Sequence, residues 1–379
     1  MHKLPNSLWH TLLFLLVFVT AAPLAAEELQ VFVSSFAPGD EGAIHAYELD
    51  TDSGSIRQTA KNKGVAQPFF LALSPNRKNL YSIHAPAGFG GEENEQIAAY
   101  RISGDGELEL LNHQSSLGTA SCYLDVDASG KTLVVANYST GSVASYPINR
   151  DGSIQEAQSF IQHEGSSVNE SRQQAPHAHC IVVSPDNRFI YSADLGIDKI
   201  VAYRLGKRST LVELGDAAYP RLAPGAGPRH LTFHPNRRHL YVINELLNTV
   251  TVFDYASKSG LLSETQTIAT LPADFDGTSY TADIKVTPNG RFAYGTNRGH
   301  DSLACYRVGN DGRLATIDII PSLGKGPQNL AITPDGRILI CANMPGNNVA
   351  IFHIDAESGR LTSVAEPITI TGPSCIMIR

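Results

Sequence analysis

The sequence predicts an all-β protein, a seven-bladed β-propeller with one blade closed jointly by the N- and C-terminal strands. Three observations carry this. A four-residue turn after an apolar run recurs six times. Each turn leads into a strand with a small or polar end. The two chain ends supply complementary parts of the repeating unit.

The turns are Ser74-Pro75-Asn76-Arg77, Asp127-Ala128-Ser129-Gly130, Ser184-Pro185-Asp186-Asn187, His234-Pro235-Asn236-Arg237, Thr287-Pro288-Asn289-Gly290 and Thr333-Pro334-Asp335-Gly336, spaced 46 to 57 residues apart. Strands such as Thr132-Leu133-Val134-Val135-Ala136-Asn137 follow them. Next comes an alternating strand, as in Ser142-Val143-Ala144-Ser145-Tyr146, and then a turn such as Asn310-Asp311-Gly312 onto a fourth strand. Four strands per unit of this length is the signature of a propeller blade. At the C-terminus, Pro373 to Ile378 reads as a first strand after which the chain stops. At the other end, Leu29 to Ser35 reads as a second strand with no first strand before it. Six whole blades and one shared blade make seven, and the shared blade removes the free sheet edges of the ring. A pair of stacked sandwiches accounts poorly for the repeat and the matched ends.

Residues 1–26 read as a secretory signal peptide: Lys3, an apolar stretch beginning at Leu12, then small residues from Ala21 to Ala26. The apolar stretch is too short for a good membrane span. Cleavage is expected after Ala25 or Ala26, leaving residues 27–379 as the propeller. A periplasmic or secreted location follows, with no membrane attachment after cleavage. Removing the leader, which holds one lysine and no acid, takes the formal charge from −8 to −9. A surface of that sign argues against nucleic acid and anionic membranes as partners. The five cysteines, at 122, 180, 305, 341 and 375, form no CxxC pair and lie in apolar runs, as small buried hydrophobes do.

Within a blade, strands a to d run from the centre outward. Strands a and b are antiparallel, so the start of a and the end of b share one face of the disc. His177, His179, Arg229 and His230 lie near the start of an a strand, with Tyr280 and Asp283 at the next. Asp194, Asn244, Glu245, Asn297, Arg298 and His300 lie at or after the end of a b strand. These residues are expected around one mouth of the central channel, where clustered His, Arg and Glu make a candidate site. Asp194, Asn244 and Asn297 have a second reading as strand-end caps, because Asn and Asp satisfy turn backbone. Arg229, Glu245 and Arg298 interrupt the repeat pattern. His177-x-His179 has the spacing of a metal pair, but no third ligand is sequence-linked, and neither metal nor cofactor is expected. The polar stretch from His163 to Gln174 is expected to extend a d-to-a loop on the same face, as a lid or as a solvated insertion.

The segments Gly227-Pro228-Arg229-His230-Leu231, Tyr241-Val242-Ile243-Asn244-Glu245-Leu246, His179 to Asp186, Ala136 to Val143 and Asn297-Arg298-Gly299 resemble the seven-bladed lactonase family, which includes the propeller-type 6-phosphogluconolactonases and is similar to the fungal carboxymuconate-lactonizing enzyme. The resemblance spans nearly all of the mature chain. It implies hydrolysis of a sugar-type lactone, a small-molecule partner, and a site of His179, Arg229, Glu245 and Arg298. His177, His230, Asn244, Asn297 and Asp194 are expected around the substrate. Either Glu245 or His179 would activate water, and the arginines would stabilise the oxyanion or hold an anionic group. One departure is Gln328, in Gly326-Pro327-Gln328-Asn329, where the family often carries Arg. A non-catalytic exported propeller that binds a protein or glycan is the alternative.

Overall fold

The structure is a computed structural model that describes residues 1–2, 28–215 and 219–379. From residue 3 onward, the expected signal peptide lies outside the described residues. Seven four-stranded antiparallel sheets form the blades, and blade 6 carries one extra short strand. We number the blades from Leu71. Their a strands are Leu71–Leu73, Ser121–Val126, Ala178–Val183, Pro228–Phe233, Tyr280–Val286, Pro327–Ile332 and, in the closing blade 7, Pro373–Ile378. Blade 7 forms as the sequence predicts. Glu28–Ser35 pairs with Pro373–Ile378 on one side and with Ala43–Asp50 on the other, and Ser34 Oγ meets Ser374 Oγ at 2.8 Å.

The turn quartets work through their first and fourth residues. Ser74, Asp127, Ser184, Thr287 and Thr333 turn a side-chain oxygen back onto the amide that starts strand b. The fourth residue is left-handed at all six sites, with φ from 58° at Arg77 to 74° at Gly336. Glycine takes that conformation without strain, whereas Arg77 and Arg237 hold it at a cost of about 1 kcal/mol each.

Blades are tied by a repeated contact. Tyr81, Tyr191, Tyr241 and Tyr294 each donate a hydroxyl hydrogen to the carbonyl of Gly152, Gly260, Gly312 or Gly359 in the next blade, at 2.6–3.0 Å. A Cβ on any of those glycines would lie within 2.6 Å of the neighbouring blade's Asn79, Phe189, His239 or Phe292. The buried phenols thus read the c-to-d turn of the following blade, and the ring assembles in one order. All five cysteines are buried free thiols.

Strand a is irregular where it starts. Its pairing with strand b slips at Ser121/Tyr123, Ala178/Cys180, Pro228/His230, Thr281/Ile284 and Pro327/Asn329. Each slip is a β-bulge, which leaves a residue unpaired and re-aims its side chain. The unpaired residues are Cys122, His179, Arg229, Ala282 with Asp283, and Gln328. The bulges therefore decide what reaches the channel mouth.

Candidate active site at the channel mouth

Two rings of positions build the mouth. The first is the bulge ring. The second is the residue that follows the Asn or Asp near the end of strand b in blades 2 to 6: Tyr138, Leu195, Glu245, Arg298 and Met344. His179 and Arg229 come from the first ring, Glu245 and Arg298 from the second. The structure brings these four together with a fifth residue, Arg172, from the loop 163–177.

Glu245 is at the centre. Its Oε2 accepts from Arg229 Nε at 2.9 Å and from Arg298 Nη2 at 2.8 Å, and its Oε1 accepts from Arg172 Nη2 at 2.7 Å. Burial alone would raise its pKa. Arg298, Arg229 and Arg172 override that and hold the carboxyl down at about 2. Arg229 is 2% exposed, and burial, then Arg298, lowers its guanidinium to about 10, so it stays cationic at neutral pH. Its Nη1 also donates to the carbonyl of Ala282 at 2.6 Å and to His230 Nε2 at 3.1 Å. His230 can accept there because its Nδ1–H donates to Asp283 at 2.8 Å. Asp283 is fully buried and is also bonded by Lys285, Asn329 and the amide of Leu330. Lys285 and His230 outweigh its burial and keep it ionised.

Burial and Arg229 lower His230 to about 4. At pH above 6.5 the folded and unfolded chains both carry it neutral. Between pH 6.5 and 4 only the unfolded chain takes up the proton, so stability drains across that window, by up to about 3 kcal/mol for this one group. His45 and His84, also lowered to about 4 by burial, act in the same direction. The thermal midpoint is expected to fall steadily from pH 6.5 to pH 4 in a scan of buffers. A midpoint unchanged down to pH 4.5 would contradict these neutral imidazoles.

His179 lies 5.6 Å from His230, ring centre to ring centre, and edge-on to Tyr138 at 5.2 Å. Burial, Arg229 and His230 push its pKa well below the usual imidazole value. Its Nδ1 faces Cys122 Sγ at 3.6 Å. Cys122 has the carbonyl of His179 at 3.2 Å for its own proton. Nδ1–H therefore points at sulfur, and Nε2 carries the lone pair.

Other expected residues are engaged elsewhere. Asn244 donates to Thr249 and Thr251, and Asn297 donates to Ser302 and the carbonyl of Thr270. Asp194 binds His163 and the amides of His177 and Gly196. These three fasten strand ends and do not join the cluster, because their side chains turn outward to strand c or to the preceding loop. His177 stacks on Tyr138 at 4.5 Å and bonds its carbonyl at 2.9 Å, so it borders the site and diverges from His179. Among the described residues, no group of three His, Cys, Asp or Glu is gathered as a metal would need. His300 turns to Ser302 and Phe275. Gln328 points at Arg298 at 3.5 Å.

Arg172 and Tyr138 were not singled out from the sequence. Tyr138 occupies the repeat position of Glu245 and Arg298, which was the signal available. Arg172 had only its place in a polar loop on the right face. A groove of about 930 Å³ opens on the opposite face between the turns of blades 1 to 3. Its buried carboxylate, Asp127, is satisfied by Ser129, Asn187 and the amides of Lys131 and Thr132. Inside the channel, a cavity of about 170 Å³ is lined by Asp125, Lys285 and Asn329 among apolar residues.

Comparison with known proteins agrees with this architecture. The family model described as "Lactonase, 7-bladed beta-propeller" matches residues 30–378. The chain is 35% identical over 347 residues to a 6-phosphogluconolactonase of Bacillus subtilis, covering 91% of this chain and 97% of that protein. It is 32% identical to a 6-phosphogluconolactonase of Formosa agariphila, covering 92% and 99%. The solved structure of a periplasmic gluconolactonase from Pseudomonas aeruginosa superposes with a TM-score of 0.86 at 28% identity, covering 93% of this chain and 99% of that one.

Proposed function

We propose the function from one premise: this chain belongs to the lactonase family of seven-bladed β-propellers. It is a lactone hydrolase, and its substrate is a sugar-type lactone opened at the arginine-lined mouth without a metal. The observation that supports this most is the set of three guanidiniums gathered on one buried carboxylate.

Hydrolysis needs a water activated for attack and donors aimed at the oxygen that becomes negative. Glu245 is a poor base, since both its oxygens are held by arginines and its pKa is near 2. It serves as the anchor that aligns the guanidiniums. His179 accepts the water proton at Nε2. Arg229 Nη2 and Arg298 Nη1, the donors least engaged by the protein, meet the oxyanion. The proton then passes to the ring oxygen that leaves as a hydroxyl.

The test is acid release from glucono-1,5-lactone and its 6-phosphate at constant pH, with and without EDTA. Wild type is expected to release acid in both conditions, and Arg298→Ala to lose about 10²–10³-fold in kcat, the scale for one oxyanion donor. No acid release from either lactone would favour a protein- or glycan-binding propeller instead. Loss of activity in EDTA would sink the metal-free mechanism. Export through the segment 1–26 belongs to the same proposal, and a mature N-terminus near Glu27 in a periplasmic or secreted fraction would support it.

A further inference from the structure

Arg172 differs from the other two arginines in how it is held and in what it leaves open. The loop that carries it, residues 163–177, is fixed by two carboxylates. Asp194 holds His163 at 2.6 Å. Asp198 takes Ser167 at 2.5 Å and Gln173 at 2.8 Å on one side, and the amides of Gly225 and Gly227 at 2.7 Å on the other. Gly225 and Gly227 lead into the strand of Arg229, so one carboxylate sets the loop in register with the site. Asn169 Oδ1 caps the turn at the amide of Arg172. The loop is thus a strap with a defined tip.

At that tip Arg172 Nη2 donates to Glu245 and, at 3.1 Å, to the hydroxyl of Tyr138, and the guanidinium lies 5.8 Å from the centre of the Tyr280 ring. Its side chain is 32% exposed, against 26% for Arg298 and 2% for Arg229. Arg229 and Arg298 give further donors to the carbonyls of Ala282, Tyr280 and Thr281. Among the described residues the Arg172 guanidinium donates only through Nη2, which leaves its Nε and Nη1 without a protein acceptor. Three cations against one carboxylate leave the mouth positive in a protein of net charge −8. The planar guanidinium fork suits phosphate or carboxylate oxygens.

We propose that Arg172 is the specificity-determining residue that receives an anionic substituent of the lactone, exchanging Glu245 Oε1 for it, while Arg229 and Arg298 attend to the reacting carbonyl. This rests on the lactonase reading. The experiment compares kcat/KM for glucono-1,5-lactone and its 6-phosphate in wild type, Arg172→Gln and Arg172→Lys. The preference for the phosphorylated lactone should fall roughly 10–100-fold in Arg172→Gln, the worth of one charged hydrogen bond, chiefly through KM. Lysine should restore part of it, because it keeps the charge without the fork. An unchanged ratio, whatever the size of the uniform loss, overturns the proposal and makes Arg172 a strap anchor only. So does a wild type that opens only the neutral lactone. Calorimetry with inorganic phosphate gives an independent reading: binding to wild type and at least 10-fold weaker binding to Arg172→Gln supports the proposal, and equal binding overturns it. If neither lactone is hydrolysed, the lactonase reading fails, while the phosphate measurement still decides on Arg172.

Discussion

Glu245→Gln is expected to lower the stability of the propeller by about 3–5 kcal/mol, the cost of removing one partner from a buried ion pair. Gln keeps the shape of Glu but removes the charge that three guanidiniums share. Arg298 and Arg172 are partly exposed and can turn to water. Arg229 cannot, at 2% exposure, and its remaining acceptors are one carbonyl and one imidazole. The loss should be read as a lower denaturation midpoint in urea at pH 7. A second substitution, Arg229→Met, should recover much of it by removing the stranded charge. A midpoint shift worth less than about 1 kcal/mol, on the scale of an exposed pair, would show that Arg229 does not depend on Glu245. Acid should mimic the substitution. Glu245 is lowered from the ordinary glutamate value of 4.5 to about 2, so its stabilisation is complete above pH 4.5 and is lost as pH falls toward 2. Reduced activity in Glu245→Gln then reports misaligned arginines, and it cannot be taken as evidence for a carboxylate base.

The sequence made the scaffold legible because a blade cannot hide its period. The Pro-Asn and Pro-Asp turns, the polar strand ends and the half-blades at the two termini fixed the blade count and the closure. Antiparallel pairing of strands a and b then placed Arg229 and Glu245 on one face, although 16 residues separate them. The local register at that face was not legible. A bulge that adds one residue, as at His179 or Arg229, leaves no trace in the apolar pattern, since the strand resumes its alternation at the next residue. The strand-end Asn244 and Asn297 looked like site residues because they sit beside it in sequence. Their amides bond to strand c or to the preceding loop, and the residues after them, Glu245 and Arg298, turn inward. Arg172 was hidden for a different reason. A loop side chain 73 residues from its partner carries no periodic signal, and it is the anchoring by residues such as Asp194 and Asp198 that shows the loop to be fixed.

His179→Gln should lower kcat by about 10²–10⁴-fold, the usual contribution of a positioned general base. The folded state should be little affected, because the ring borders the mouth and its near contacts are Cys122, Tyr138 and His230. Three features single this residue out. It is the unpaired residue of its bulge, so the backbone aims it at the mouth. Its Nδ1 is directed at Cys122 Sγ, which leaves Nε2 as the acceptor. Burial and the nearby Arg229 keep it neutral across the physiological range, so the base form is always present. The pH profile follows from the sign of that shift. A base whose pKa is depressed loses activity only when pH falls below the depressed value, so kcat should stay level from pH 8 down through 6.5. An acid limb centred near 6.5 would mean that the catalytic imidazole is solvated and unperturbed, contrary to the site described. Undiminished kcat in His179→Gln would remove the imidazole from the chemistry and leave the arginines to act on unassisted water.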